Sequence, residues 1–222
     1  MQRNRVSRRT VLKMTLATAA AVTPNAIIAA QPAELALPAN APTQQVDVET
    51  QGIDRWTIVS GQWAVEDMPG VPVGKKALVQ RATKNEFNVI VAPAGPFTDV
   101  DVSVRFYPLS GKQDASGGIV FRFTDGKYYV VRANALEDNF RLYYCDRRRH
   151  QLASVSVKPP ALGQWHLLRV VMVGDRIQAS LNGVVVLDHR DRRFASGRVG
   201  LWTKADAVTA FNDLTIRGVR AG

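Results

Sequence analysis

Residues 117–157, GGIVFRFTDGKYYVVRANALEDNFRLYYCDRRRHQLASVSV, carry four β-branched or aromatic runs separated by turn residues. Where apolar and polar residues alternate at period two, the pattern belongs to a strand, since a helix would scatter it around its circumference. The first run, 119–123, ends at Thr124-Asp125-Gly126, a turn that tolerates the positive φ a tight hairpin needs. The second, 128–133, reverses over 135–138. The third, 140–145, ends in a charged tip at 146–149, and 150–157 closes a meander. Alternation sends Ile119, Phe121, Phe123, Phe140, Leu142 and Tyr144 to one face. The other face takes Arg122, Arg141 and Tyr143, with Arg132 and Tyr128 nearby. An apolar face backed by Arg and Tyr is half a sandwich plus either a binding surface or a solvated outer face.

The rest of the chain repeats the signal. Residues 98–107 place Val100, Val102, Val104 and Phe106 on one side and Asp99, Asp101, Ser103 and Arg105 on the other. Trp56 and Trp63 flank a short hairpin, with at least one of them expected in the core. Asn182-Gly183 is a strong hairpin turn between 176–181 and 184–189. No long stretch shows helical periodicity. About a dozen strands in a domain over 52–218 predict an all-β, two-sheet antiparallel jelly-roll sandwich.

The formal charge of +10 overstates the basic character of that domain. Five basic residues and no acid fall within residues 1–30, leaving 24 Lys and Arg against 19 Asp and Glu. With no basic-aromatic motif, nucleic acid is not an expected partner. Ser7-Arg8-Arg9-Thr10-Val11-Leu12-Lys13 resembles the twin-arginine export motif, and the Ala/Thr-rich run behind it suits a signal peptide over 1–30. A periplasmic or secreted product is expected, without a membrane anchor, because no cysteine follows for lipid attachment. Residues 31–51, rich in Pro, Ala and Gln, predict a linker. Cys145, the lone cysteine, excludes an intramolecular disulfide.

Five segments together carry a family resemblance: GGIVFRF (117–123), YYVVRANALEDNFRLY (128–143), GQWHLLRV (163–170), LNG (181–183) and GRVGLWTKADAVTAFNDLTI (197–216). The series resembles the concanavalin A-like lectin/glucanase sandwich, and within it the laminin-G-like and 3-keto-disaccharide hydrolase group of secreted bacterial domains. The Gly-Ile-x-x-Arg strand of that group falls on Gly118, Ile119 and Arg122. Its Gly-x-Trp falls on Gly163 and Trp165, its hairpin on Asn182 and Gly183, and its closing pattern on Phe211, Asn212 and Asp213. The resemblance implies the fold, a glycan or small saccharide as partner, and a structural Ca²⁺, for which Asp213 with Asn212 is the candidate site. It leaves the activity open, because one sandwich serves lectins, binding modules and glycosidases. Two features of its enzymes are missing: Tyr128-Tyr129-Val130-Val131-Arg132 replaces a Tyr-Glu-x-Gln-like strand, and no Glu-x-Asp-x-Glu string occurs.

Two functions are therefore expected in competition. The first is an exported carbohydrate-binding module whose surface comprises Arg122, Arg132, Arg141, Tyr143, Trp202 and Lys204, with Arg forks for oxygens and aromatic faces for sugar rings. A basic face favours acidic or oxidised glycans. The second is a hydrolase of the 3-keto-disaccharide type, with Asp99, Asp101 and Glu137 as its carboxylates. His150, His166 and His189 lie apart and show no metal-ligand spacing.

Overall fold

The computed structural model describes residues 33–222. The signal segment expected over 1–30 lies outside the described residues. Strands pair into two antiparallel sheets. The eight-stranded sheet runs β13 (Val184–Arg190), β12 (Arg176–Leu181), β11 (His166–Val173), β6 (Phe97–Ser110), β15 (Val208–Arg220), β4 (Lys76–Gln80) and β3 (Trp63–Asp67), with β1 (Thr43–Val46) added on β15. The seven-stranded sheet runs β10 (Arg148–Ser156), β9 (Asn139–Asp146), β8 (Lys127–Asn134), β7 (Ser116–Thr124), β14 (Arg198–Ala205), β5 (Asn85–Val91) and β2 (Thr57–Ser60). The expected two-sheet sandwich is the observed one.

The inner faces meet in one core. Val100, Val102, Val104 and Phe106 from β6 face Ile119, Phe121, Val131, Phe140 and Leu142, all buried. Each such side chain contributes about 1.5–3 kcal/mol on leaving water, so the alternation of these strands fixes their register. Trp56 and Trp63 both belong to this core, Trp63 with its ring centre 5.9 Å from that of Phe211.

Two expectations are corrected. Phe123 was expected beside Ile119 and Phe121 but packs on the outer face with Tyr128, ring centres 5.8 Å apart. The cause is a bulge: Arg122 has φ 51°, and pairing with both neighbouring strands shifts there, so one extra residue reverses the alternation. Residues 33–51, expected as a linker, are built onto the sandwich. Thr43–Val46 pair with β15, a short helix α1 (Val48–Gln51) follows, and Leu37, Ala41, Val46 and Val48 are buried. Sparse apolar residues among prolines hid the docking, which rests on an unpaired sheet edge that only the fold creates.

Candidate functional site

Cross-strand partners share a sheet face, so the register of the seven-stranded sheet assembles its outer surface. One row crosses six strands: Val89, Trp202, Gly118, Arg132, Arg141 and Ser154. The next row holds Val91, Gly200, Val120, Val130, Tyr143 and Gln151. On the other side Lys204 pairs with Phe87 and Ser116 with Asn134. Arg132, Arg141, Tyr143, Trp202 and Lys204, five of the six expected ligand-binding residues, thus share one face. Gly118 is required within it, because a Cβ there would stand 2.8 Å from the Val131 carbonyl oxygen.

The face is concave. The Arg149 guanidinium carbon lies 4.4 Å from the Tyr143 ring centre and 5.2 Å from that of Phe87. Tyr143 and Phe87 are four strand steps apart, about 19 Å in a flat sheet. Twist and coiling fold two corners of the sheet toward each other, with Arg149 bridging them. Beneath lies a second apolar cluster of Val89, Val120, Tyr128, Val130, Cys145 and Trp202. Phe87 stacks on Trp202 at 5.7 Å and 28°. Among the described residues Arg149 has no carboxylate partner. Its two ring contacts, about 0.5–1 kcal/mol each at an exposed site, hold it in place. Burial pushes the Cys145 thiol up to about 11, so it stays protonated at neutral pH.

Beside this apolar centre, the polar corner carries three cations and two carboxylates. Arg132, 2% exposed, donates to Glu137 Oε2 at 2.7 Å and to the Asn139 carbonyl at 3.1 Å. Arg141 lies 3.7 Å from the same carboxylate and 3.3 Å from the Tyr143 hydroxyl. Burial pushes the Glu137 carboxyl up, but the Arg132 charge and hydrogen bond outweigh it and leave the group below its ordinary range. Lys204 Nζ lies 3.9 Å from Asp114 Oδ2. Asp114 is 1% exposed, accepts from Ser116 N and Asn134 Nδ2, and burial raises its carboxyl above the usual carboxylate range. Asp206 fixes the approach to it by accepting from the backbone N–H groups of Lys112, Gln113 and Asp114. Two buried side-chain polar atoms lack a hydrogen-bond partner in good geometry among the described residues, Asn139 Oδ1 and Trp202 Nε1, the latter facing the Tyr128 hydroxyl. Both residues belong to this face: Asn139 precedes Arg141 by two along β9, and Trp202 shares the row of Arg132.

The remaining expected residues lie elsewhere or act differently. Arg122, 4% exposed, turns away at its bulge. Its guanidinium donates to the carbonyls of Thr98, Phe194 and Gly174 and lies 3.7 Å from Asp99, so it is a bracket between loops, not a ligand-binding side chain. Trp202 does point away from Val199 and Leu201, yet it is 0% exposed and covered by Phe87, which removes its face from stacking in this state. Asp99 and Asp101 lie on the other sheet, apart from Glu137. Asp99 accepts from Gly174 N, and Asp101 is engaged by Arg169 at 2.8 and 3.0 Å. The three expected catalytic carboxylates therefore do not converge.

The expected Ca²⁺ ligands do not fit a cation. Asn212 Oδ1 accepts from Val73 N, while its amide nitrogen donates to the carbonyls of Val73 and Lys76. Asp213, at a bulge with φ 55°, accepts from Gln45 Nε2 and lies 3.5 Å from Arg105. No group of three or more His, Cys, Asp or Glu is placed to hold a metal ion among the described residues. Asp114 and Asn139 were missed in the sequence. The available signal was Asp114 before Ser116-Gly117-Gly118, an acid at the mouth of the strand that carries the Gly-Ile-x-x-Arg pattern.

Residues 47–217 match the model of the 3-keto-alpha-glucoside-1,2-lyase-like domain family. No curated protein matches the sequence. Among solved structures, the chain is similar to the carbohydrate-binding module CBM66 from Bacillus subtilis, with 22% identity, 74% of this chain and 96% of that one covered, and a TM-score of 0.64. It is similar to the cellulose induced protein Cip1 at 15% identity, covering 81% and 99%, with a TM-score of 0.58. The carbohydrate recognition domain of Emp46p, in its potassium-bound form, aligns at 13% identity over 78% and 93%, with a TM-score of 0.54. At these identities the three structures establish the shared sandwich fold.

Proposed function

The chain belongs to the 3-keto-alpha-glucoside-1,2-lyase-like domain family, and from that premise we propose that it is an exported saccharide-binding sandwich whose ligand is a glucoside oxidised at C3. The sugar lies at the polar corner of the concave face. The observation that carries this reading is the placement of an unpartnered buried acceptor, Asn139 Oδ1, on the face that also holds Arg132, Arg141 and Lys204. Buried polar atoms without partners are rare, and a ligand hydroxyl is one group that satisfies such an acceptor. Asn139 Oδ1 is an acceptor for a sugar hydroxyl. The cations supply charge-assisted donors to the ketone oxygen, which a non-oxidised glucoside lacks. Calorimetric titration with methyl 3-keto-α-glucoside and with methyl α-glucoside tests this. Binding of the keto sugar, lost in Arg132→Ala and weakened at least about tenfold in Lys204→Ala, supports it. Equal affinity for both sugars, or none for either, overturns it.

Asp114 favours a second reading, turnover. In a 1,2-elimination the C3 ketone acidifies the proton at C2. Asp114, whose affinity for protons is raised by burial, takes the C2 proton as general base, and the Lys204 ammonium 3.9 Å away donates to the oxygen at C3 as negative charge develops there. The C–H electron pair becomes the C1–C2 double bond, and the C1–O pair leaves with the aglycone, which takes a proton from water. Release of alcohol from the keto glycoside, abolished in Asp114→Asn while binding persists, supports this reading. Binding without release in the unmodified protein contradicts it.

A further inference from the structure

The Arg149 guanidinium occupies a place built for a flat group. It lies over the Tyr143 ring and against Phe87, with Trp202 stacked under Phe87. Both ring walls adjoin the polar corner. Phe87 is the cross-strand partner of Lys204, and the Tyr143 hydroxyl is 3.3 Å from Arg141. A sugar held by Arg132, Arg141 and Lys204 therefore has this slot as its neighbour, one side-chain step away. We infer that the slot receives a flat aromatic aglycone on C1 of the glycoside, taking the place of the Arg149 side chain between Phe87 and Tyr143. The inference rests on the saccharide-binding reading above.

Three features favour an aromatic group over a second sugar ring. The slot and its floor are apolar: Phe87, Val89, Val120, Tyr128, Val130 and Trp202 offer few partners for ring hydroxyls. Its present occupant is a planar group lying over an aromatic face, a place an aromatic ring also fits. Arg149 has no carboxylate partner among the described residues, so it is free to leave and restack on the ligand ring.

The test compares Kd values for methyl, phenyl and glucosyl 3-keto-α-glucosides by calorimetry. The phenyl glycoside is expected to bind about tenfold tighter than the methyl one. In Phe87→Ala the ratio of the two should fall to near one, whereas in Arg149→Ala it should be kept or increased. Thermal melting confirms that each variant is folded. Equal affinity for methyl and phenyl glycosides overturns the slot and leaves the saccharide reading standing. Tightest binding of the glucosyl compound assigns the slot to a second sugar and overturns the aromatic assignment. Binding of none of the three overturns both readings.

Discussion

Lys204 Nζ stands 3.9 Å from Asp114 Oδ2, a carboxylate that is 1% exposed. A buried acid beside a partly exposed amine is costly in a domain that could have placed a neutral pair there. That cost, at the edge of a concave face, is one that the saccharide-binding role proposed for the corner would account for.

Asp114 gives stability a pH dependence of definite sign. Burial raises its carboxyl, against the opposing Ser116 hydrogen bond and the charges of Arg132 and Lys204. The folded state therefore binds this proton more tightly than the unfolded chain, whose value is about 3.9. The contribution is fully present below the unfolded value and is lost as pH rises through the raised folded one. Asp114→Asn should remove that fall, flattening melting temperature against pH above about 4. Parallel curves for the two proteins would contradict the assignment.

Arg122 closes one end of the sandwich through three loop carbonyls. Arg122→Ala leaves those carbonyls without their donor and Asp99 without its nearby cation, at a cost of about 3–5 kcal/mol. In a domain of this size that lowers the melting temperature by roughly 10 °C. Loss of saccharide binding with unchanged melting would instead make Arg122 a ligand residue.

Trp202 is fully buried beneath Phe87, so its removal should act on folding first. Trp202→Ala is expected to cost about 3–5 kcal/mol by denaturant unfolding. A variant that unfolds like the parent but binds no glycan would show an open indole face.

The segment before β2 belongs to the sandwich. A chain begun at residue 52 loses β1 and the buried Leu37, Ala41, Val46 and Val48. It should be less stable than one begun at residue 31 by more than about 3 kcal/mol. Identical unfolding midpoints would return these residues to the status of a linker.

The sandwich was legible because period-two alternation and Asp-Gly and Asn-Gly turns are local signals. The shared face of Arg132, Arg141 and Tyr143 followed from the same parity. Arg122 and Phe123 escaped because a single inserted residue reverses parity, and nothing in the string Phe121-Arg122-Phe123 announces it. The docking of residues 33–46 depends on partners more than a hundred residues away, such as Gln178, whose side chain bonds Leu35 N and the Ala33 carbonyl. Asp114 was hidden for the same reason: Lys204 and Asn134 reach it only after three strands align. The coiling that brings Arg149 to Phe87 has no local signature at all.

Amide hydrogen exchange with and without methyl 3-keto-α-glucoside tests the location of the site most directly. Slowed exchange confined to residues 112–118, 131–143 and 202–207, around the polar corner, is the predicted result. Slowing instead around the cavity of about 440 Å³ lined by Gln44, Arg55, Trp56 and Arg220, with none at the concave face, would contradict it.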